Sequence, residues 1–242
     1  MVRALFALVV CFLPSALLAN TCLQNPNILI SNCDASLRVG LISPTDLTET
    51  DAPDLAVTGT YSSADRIGIE GLAVLNGEVK SRRLQGWDGV LIVDRLGNPT
   101  VYNARNVAFG GQRFNIKDAD DAQRLLEITT DQGASLIQSH LLISDGVLDL
   151  RNVSNAPVFY RRLFYMRHNG EFGVWQPDER LTLYDAAVRL QDELQPKMAI
   201  NLDMGAYDFC QTKDGTDCGR LAVPLDRLTN LLVFFSQTDD ES

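Results

Sequence analysis

The sequence predicts an α+β fold: a mixed, largely antiparallel sheet core with a few packed helices, in a single domain. Three observations predict it. Apolar runs of four or five residues recur along the chain, and several are closed by Asn-Gly or Asp-Gly, the dipeptides that suit tight hairpins. Only two segments carry apolar residues at helical spacing. No repeat and no Pro/Ser-rich linker marks a domain boundary. The 242 residues are 45% hydrophobic and 21% charged, which is enough apolar material for a sizeable core and excludes a disordered or collagenous chain.

In chain order, Arg3 is followed by an apolar run from Ala4 to Leu13, then Pro14 and small residues ending at Ala19. That is the order of a secretory signal peptide, so residues 1–19 are expected to be removed and 20–242 to form the mature domain. The chain is therefore expected to be secreted or periplasmic, with no stable membrane anchor after cleavage. Removing the signal removes Cys11 and leaves Cys22, Cys33, Cys210 and Cys218, an even number in an oxidising compartment. Four cysteines allow three pairings. Cys22 with Cys33 and Cys210 with Cys218 are the local choices, and the second pair brackets an Asp214-Gly215 turn. The spacings do not suit a zinc ribbon or finger.

Residues 43–53 are polar and acidic and read as a surface loop. Gly71 to Leu75 then forms a strand closed by Asn76-Gly77. Gly89 to Val93 forms another, broken at Leu96 to Pro99, with Thr100 to Asn103 returning as its partner. Asp118 can cap a helix through Leu125, Leu126 and Glu127. Leu141 to Ile143 and Val147 to Leu150 flank Asp145-Gly146 as a hairpin. Leu163 to Met166 and Phe172 to Trp175 flank Asn169-Gly170 as a further one. Thr182 and Asp185 approximate a capping box for a helix whose apolar face is Leu183, Ala187, Leu190 and Leu194, and Pro196 stops it. A short buried strand, Met198 to Leu202, follows.

The charge of −10, from 31 acidic and 21 basic side chains, argues against nucleic acid or anionic lipid as partner. The stretch Asn201-Leu202-Asp203-Met204-Gly205 carries the most chemical information. On a strand, Asn201 and Asp203 share one face while Leu202 packs on the other, and Gly205 lets the backbone turn closely past a ligand. A carboxylate at the end of a buried strand is held in place and can have a shifted pKa. The two histidines, His140 and His168, support no serine-hydrolase triad, and Walker and dinucleotide motifs are absent. No cofactor is expected; Asp118, Asp120 and Asp121 could hold calcium but read more simply as a helix cap. Trp87 and Trp175 can stack on sugar rings or pack in the core.

The helix followed by Ala199-Ile200-Asn201-Leu202-Asp203-x-Gly205 resembles the hallmark of the phosphodiester glycosidase family, an Asn-Leu-Asp-Gly-Gly-Gly-Ser run. Met204, Ala206 and Tyr207 stand where that family usually has Gly, Gly and Ser. Leu72 to Gly77 is similar to the family's early strand ending in Asn-Gly. Gln138, Leu141 to Ile143 and Asp145-Gly146 resemble its Gln-x-x-Pro-x-Leu-x-x-Asp-Gly segment without the proline. Arg162 resembles the Arg that opens a later strand. The resemblance spans roughly residues 70–210. It implies hydrolysis of sugar phosphodiesters or of envelope and extracellular glycans. Arg162 would hold the phosphate and Asp203 would serve as base or electrostatic stabiliser. Asn76, Asn201, Gly205, Asp145 and Gln138 would line the substrate site. Arg161 would face away from Arg162. A non-catalytic glycan-binding or scaffold protein on the same fold is the alternative implied by the altered Gly-Gly-Ser region.

Overall fold

The structure is a computed structural model and describes residues 22–33, 35–47, 52–63, 68–205, 208–220 and 224–237. The expected signal peptide lies outside them, as do Ala206 and Tyr207. The early strands are β1 (Ile28–Ser31), β2 (Leu37–Ile42), β3 (Leu55–Thr58), β4 (Leu72–Leu75) and β5 (Glu78–Arg82). Next come β6 (Gly89–Val93), β7 (Pro99–Asn103), β8 (Val107–Phe109), β9 (Gln112–Phe114), helix α1 (Ala119–Asp131) and β10 (Ser135–Ser139). The chain continues through β11 (Leu141–Ser144), β12 (Val147–Leu148), β13 (Phe159–Tyr160), β14 (Arg162–Met166), β15 (Phe172–Trp175) and β16 (Arg180–Leu181). Helix α2 (Leu183–Leu194), β17 (Met198–Leu202), β18 (Cys210–Thr212) and β19 (Leu231–Ser236) complete it.

Three sheets hold the core. Their orders are β1-β15-β14-β17-β11-β12, β5-β4-β10-β6-β7 and β18-β3-β19-β2, with every described pairing antiparallel. The inner strands of the two larger sheets are buried on both faces, so they read as continuous apolar runs rather than alternating ones, while the edge strands β5 and β12 are largely exposed. In the five-stranded sheet, Leu91 and Ile137 face a central core shared with Phe164, Ile200, Leu232 and Phe234 from the other sheets. Val90, Ile92 and Leu136 face α1. In the six-stranded sheet, Leu163, Tyr165 and Ala199 face α2 through Ala187, Leu190 and Leu194. The result is helix, sheet, sheet, helix, with the four-stranded sheet closing the central layer.

Local chemistry explains both helices. Asp118 caps α1 by accepting from the backbone N–H groups of Asp120 and Asp121. Thr182 caps α2 by accepting from Asp185 N at 3.0 Å, and its hydroxyl donates to the Asp185 carboxylate at 2.7 Å. Helix α1 runs four residues past the expected end at Glu127. The two disulfides join Cys22 to Cys33 and Cys210 to Cys218.

One crossover places everything that follows. The chain leaves the five-stranded sheet at Ser139 and enters the six-stranded sheet at Leu141, so His140 sits at the seam. Gly89 faces this seam: a Cβ there would lie 2.8 Å from Ile200 Cγ2, 2.9 Å from Ser139 O and 3.0 Å from Leu141 N. Only glycine lets the two sheets close to this spacing.

Candidate functional site

The ends of several strands meet at this seam: the C-terminal ends of β3, β10 and β17 and the N-terminal ends of β4, β6 and β14. Tyr61 follows β3 and is placed by its own backbone. Asp203 N donates to Gly59 O at 2.8 Å, Thr60 N to Asn230 Oδ1 at 2.7 Å, and Thr60 Oγ1 to Gln138 O at 2.7 Å. Tyr61, Trp87 and His140 form a half-buried aromatic group. Ring centroids are 4.8 Å apart for Tyr61 and Trp87, 5.7 Å for Tyr61 and His140, and 5.2 Å for Trp87 and His140.

Asn201 lies beneath this group, 2% exposed. Its Nδ2 donates to Tyr61 Oη at 2.6 Å and to Leu202 O at 2.8 Å. Its Oδ1 is buried and has no partner among the described residues. A buried carbonyl oxygen without a donor is costly, and such atoms mark places where a ligand hydroxyl or water completes the structure. Asp203 is 5% exposed, and its carboxylate accepts from Gly205 N at 3.2 Å and from the backbone N–H groups of Ser62 and Met204. Burial pushes its pKa above the ordinary aspartate value, partly opposed by those three hydrogen bonds.

The two adjacent arginines have separate fates. Arg162 pairs with Leu202 across β14 and β17, so its side chain enters the inter-sheet layer beside Leu202. It is 0% exposed, and its guanidinium donates to Gln176 Oε1 at 2.8 Å, Phe209 O at 2.9 Å and Asp208 Oδ1 at 2.8 Å. That corrects the expectation of a phosphate-holding Arg162, because its guanidinium is sealed in and already paired with a carboxylate. Arg161, one residue earlier, faces the aromatic group. Its Nε donates to Leu181 O at 2.9 Å and its Nη2 to Pro157 O at 3.1 Å. Among the described residues Arg161 has no carboxylate partner, and its Nη1 has no acceptor. Burial lowers its pKa and the Tyr61 oxygen opposes this, yet a guanidinium stays charged near neutrality. Burial also pushes the Tyr61 phenol upward, with the Asp203 charge adding to it. Tyr61 is thus the electrostatic neighbour of both Arg161 and Asp203.

The remaining candidates divide by position along the strands. Gln138 is buried, and its amide is fully used. Its Oε1 accepts from Leu72 N and Gln85 N, and its Nε2 donates to Gln85 O and Trp87 O. It holds the Trp87 segment in place and has no capacity left for a substrate, which corrects its expected binding role. Asn76 accompanies the opposite end of β10: its N–H donates to Ser135 Oγ at 2.8 Å, about 13 Å of strand from Ser139. There it is an exposed left-handed turn residue at φ 48° on the rim of a separate cavity of ≈ 760 Å³. Asp145, at φ 49°, is likewise a turn residue beside Met198, at the far end of β17 from Asp203. Neither joins the seam. Asn201, Asp203 and the exposed Gly205 do. Trp175 is buried and donates to Glu193, so it packs rather than stacks. Among the described residues no group of three His, Cys, Asp or Glu side chains is placed to hold a metal.

Sequence reasoning missed Tyr61 and the contributions of His140 and Arg161. Only the period-two alternation around Arg161 and Arg162 carried a usable signal.

No protein-family model matches the chain, and no curated protein matches it by sequence. Solved structures do match. The catalytic domain of zebrafish N-acetylglucosamine-1-phosphodiester α-N-acetylglucosaminidase, in a form auto-inhibited by its pro-peptide, superposes with a TM-score of 0.55 at 14% identity. That match covers 83% of this chain and 73% of that one. The chain shares the fold of that catalytic domain. A hypothetical protein from Synechocystis also matches, with a TM-score of 0.51 at 13% identity, over 83% of this chain and 57% of that one.

Proposed function

We propose that the protein is an exported glycosidase-type hydrolase that cleaves sugar phosphodiesters of envelope or extracellular glycans. The observation that carries this reading is the seam itself. A guanidinium without an anion, a buried carbonyl without a donor and an anchored carboxylate all adjoin one aromatic group. Arg161 supplies the cation for the phosphate through its charge and its unengaged Nη1. Asn201 Oδ1 accepts from a sugar hydroxyl, and Trp87 and Tyr61 offer ring faces to the pyranose. Asp203 places negative charge beside the anomeric carbon as it becomes oxocarbenium-like. The phosphodiester is already a good leaving group, so strong acid assistance to it is not required. The shared fold supports the reaction class. Two disulfides and the leader-like residues 1–19 support a secreted or periplasmic location. Among the described residues no helix is long and apolar enough to cross a membrane.

The test is release of a phosphomonoester from a sugar 1-phosphate methyl diester by the purified chain, beside Arg161→Ala and Asp203→Ala. Loss of turnover in both variants is expected. Equal rates in all three proteins would remove those roles. A second reading, a non-catalytic glycan-binding protein on this fold, draws on Met204 in place of a family glycine and on the backbone bonds that tie down Asp203. Sugar-phosphate binding without turnover by the unaltered chain would decide for it.

A further inference from the structure

We propose that His140 is the proton acceptor of this site, taking the proton of the attacking water while Asp203 acts as a fixed negative charge. The inference rests on the hydrolase reading and assigns a role to a residue that the resemblance to phosphodiester glycosidases does not mark.

Four observations support it. First, place: His140 O accepts from Asn201 N at 3.0 Å, so the crossover locks its backbone against the residue whose side chain carries the orphan oxygen. Second, orientation: the imidazole packs on the rings of Tyr61 and Trp87, the same group that Asn201 and Arg161 adjoin. Third, availability: the ring is only partly buried, and neither ring nitrogen is bonded to a described residue. Fourth, contrast: the Asp203 carboxylate is tied to the backbone, with Gly205 N donating at 3.2 Å, which suits a stationary charge. The imidazole has a nitrogen that no described residue occupies.

The charged and titratable groups facing the ring agree with this division. Burial lowers the His140 pKa and the Arg161 charge lowers it further, while Asp88, itself paired with Lys117 at 2.8 Å, opposes them. Tyr61 stays protonated, because burial raises its pKa. The imidazole is therefore neutral at neutral pH and able to accept. In the reaction, water oxygen forms a bond to the anomeric carbon as the bond from that carbon to the phosphate oxygen breaks. The electron pair stays on the phosphate, giving a phosphomonoester. The proton of the water goes to the free imidazole nitrogen and then to solvent.

The experiment compares pH–rate profiles of the unaltered chain, His140→Gln and His168→Gln on the sugar 1-phosphate methyl diester, with 50 mM imidazole added in a parallel series. The expected profile of the unaltered chain has an acidic limb below the ordinary imidazole pKa. His140→Gln is expected to lower kcat about 100-fold or more, to leave KM nearly unchanged, to abolish that limb and to recover rate with added imidazole. His168→Gln, exposed at the far end of β14, keeps the unaltered profile. If the unaltered chain turns over and His140→Gln retains both its rate and its acidic limb, the role of His140 is overturned and the hydrolase reading stands. If His140→Gln is slow but keeps the limb and ignores imidazole, its role is structural and the proposal is likewise overturned. If the unaltered chain has no turnover, both readings fall together.

Discussion

At the scale of single residues, neighbours in sequence can carry opposite tasks. Arg161 and Arg162 differ by one position, and the strand sends one guanidinium to the seam and the other into the layer between sheets. Their removal should separate cleanly. Arg162→Ala leaves Asp208 buried with its charge uncompensated, and a loss of about 3–5 kcal/mol is expected from urea unfolding. Arg161→Ala removes two bonds to carbonyl oxygens on the rim, and about 1–2 kcal/mol is expected. Comparable losses from the two would contradict the burial assigned to Arg162. The position of the Asn-Asp pair at the end of β17 was readable, because a buried apolar strand ends where polar residues begin. Asn76 and Asp145 misled for a related reason. Asn-Gly and Asp-Gly mark a turn in sequence but not the end of the molecule at which that turn lies.

At the scale of elements, hairpins and caps were legible because they are decided within four or five residues. The strand Gly89 to Val93 and the caps Asp118 and Thr182 are local matters of this kind. What an element presses against is not local. Gly89 reads as an ordinary strand start, yet it is the point where two sheets touch. Gly89→Ala should force Ile200 and the His140 crossover apart. A loss of about 1–3 kcal/mol is expected in thermal or urea unfolding, and an unchanged midpoint would show that the seam is looser than its geometry. Helix α2 makes a similar long-range tie through Glu193. Burial raises the pKa of that carboxyl, but hydrogen bonds from Arg189, Asn25, Trp175 and Asn27 outweigh this and hold it down to about 2. A folded pKa below the unfolded value of 4.5 means that the stabilisation is complete above pH 4.5. It is lost as pH falls from 4.5 toward 2. Urea midpoints measured across that window should fall less steeply for Glu193→Gln than for the unaltered chain.

At the scale of the whole molecule, one of the two disulfides adjoins the segment that holds Arg162 between the sheets. Cys210–Cys218 closes a loop that starts directly after Asp208 and Phe209, whose carboxylate and carbonyl hold Arg162, and Gln176 donates to Cys218 O at 3.2 Å. A loop of this length removes about 2–3 kcal/mol of denatured-state entropy. Cys210→Ala/Cys218→Ala should lower the urea midpoint accordingly, and an unaltered midpoint would mean that the loop is held by its hydrogen bonds alone. The sequence by itself determined the fold class, the hairpin turns and both helix caps, because these follow from apolar runs and from turn and cap residues a few positions apart. Only the tertiary structure decided which arginine lacks a carboxylate partner, that Gln138 holds backbone instead of substrate, and that Tyr61, Trp87 and His140 meet. Those outcomes depend on the register between strands far apart in the chain and on a crossover between two sheets.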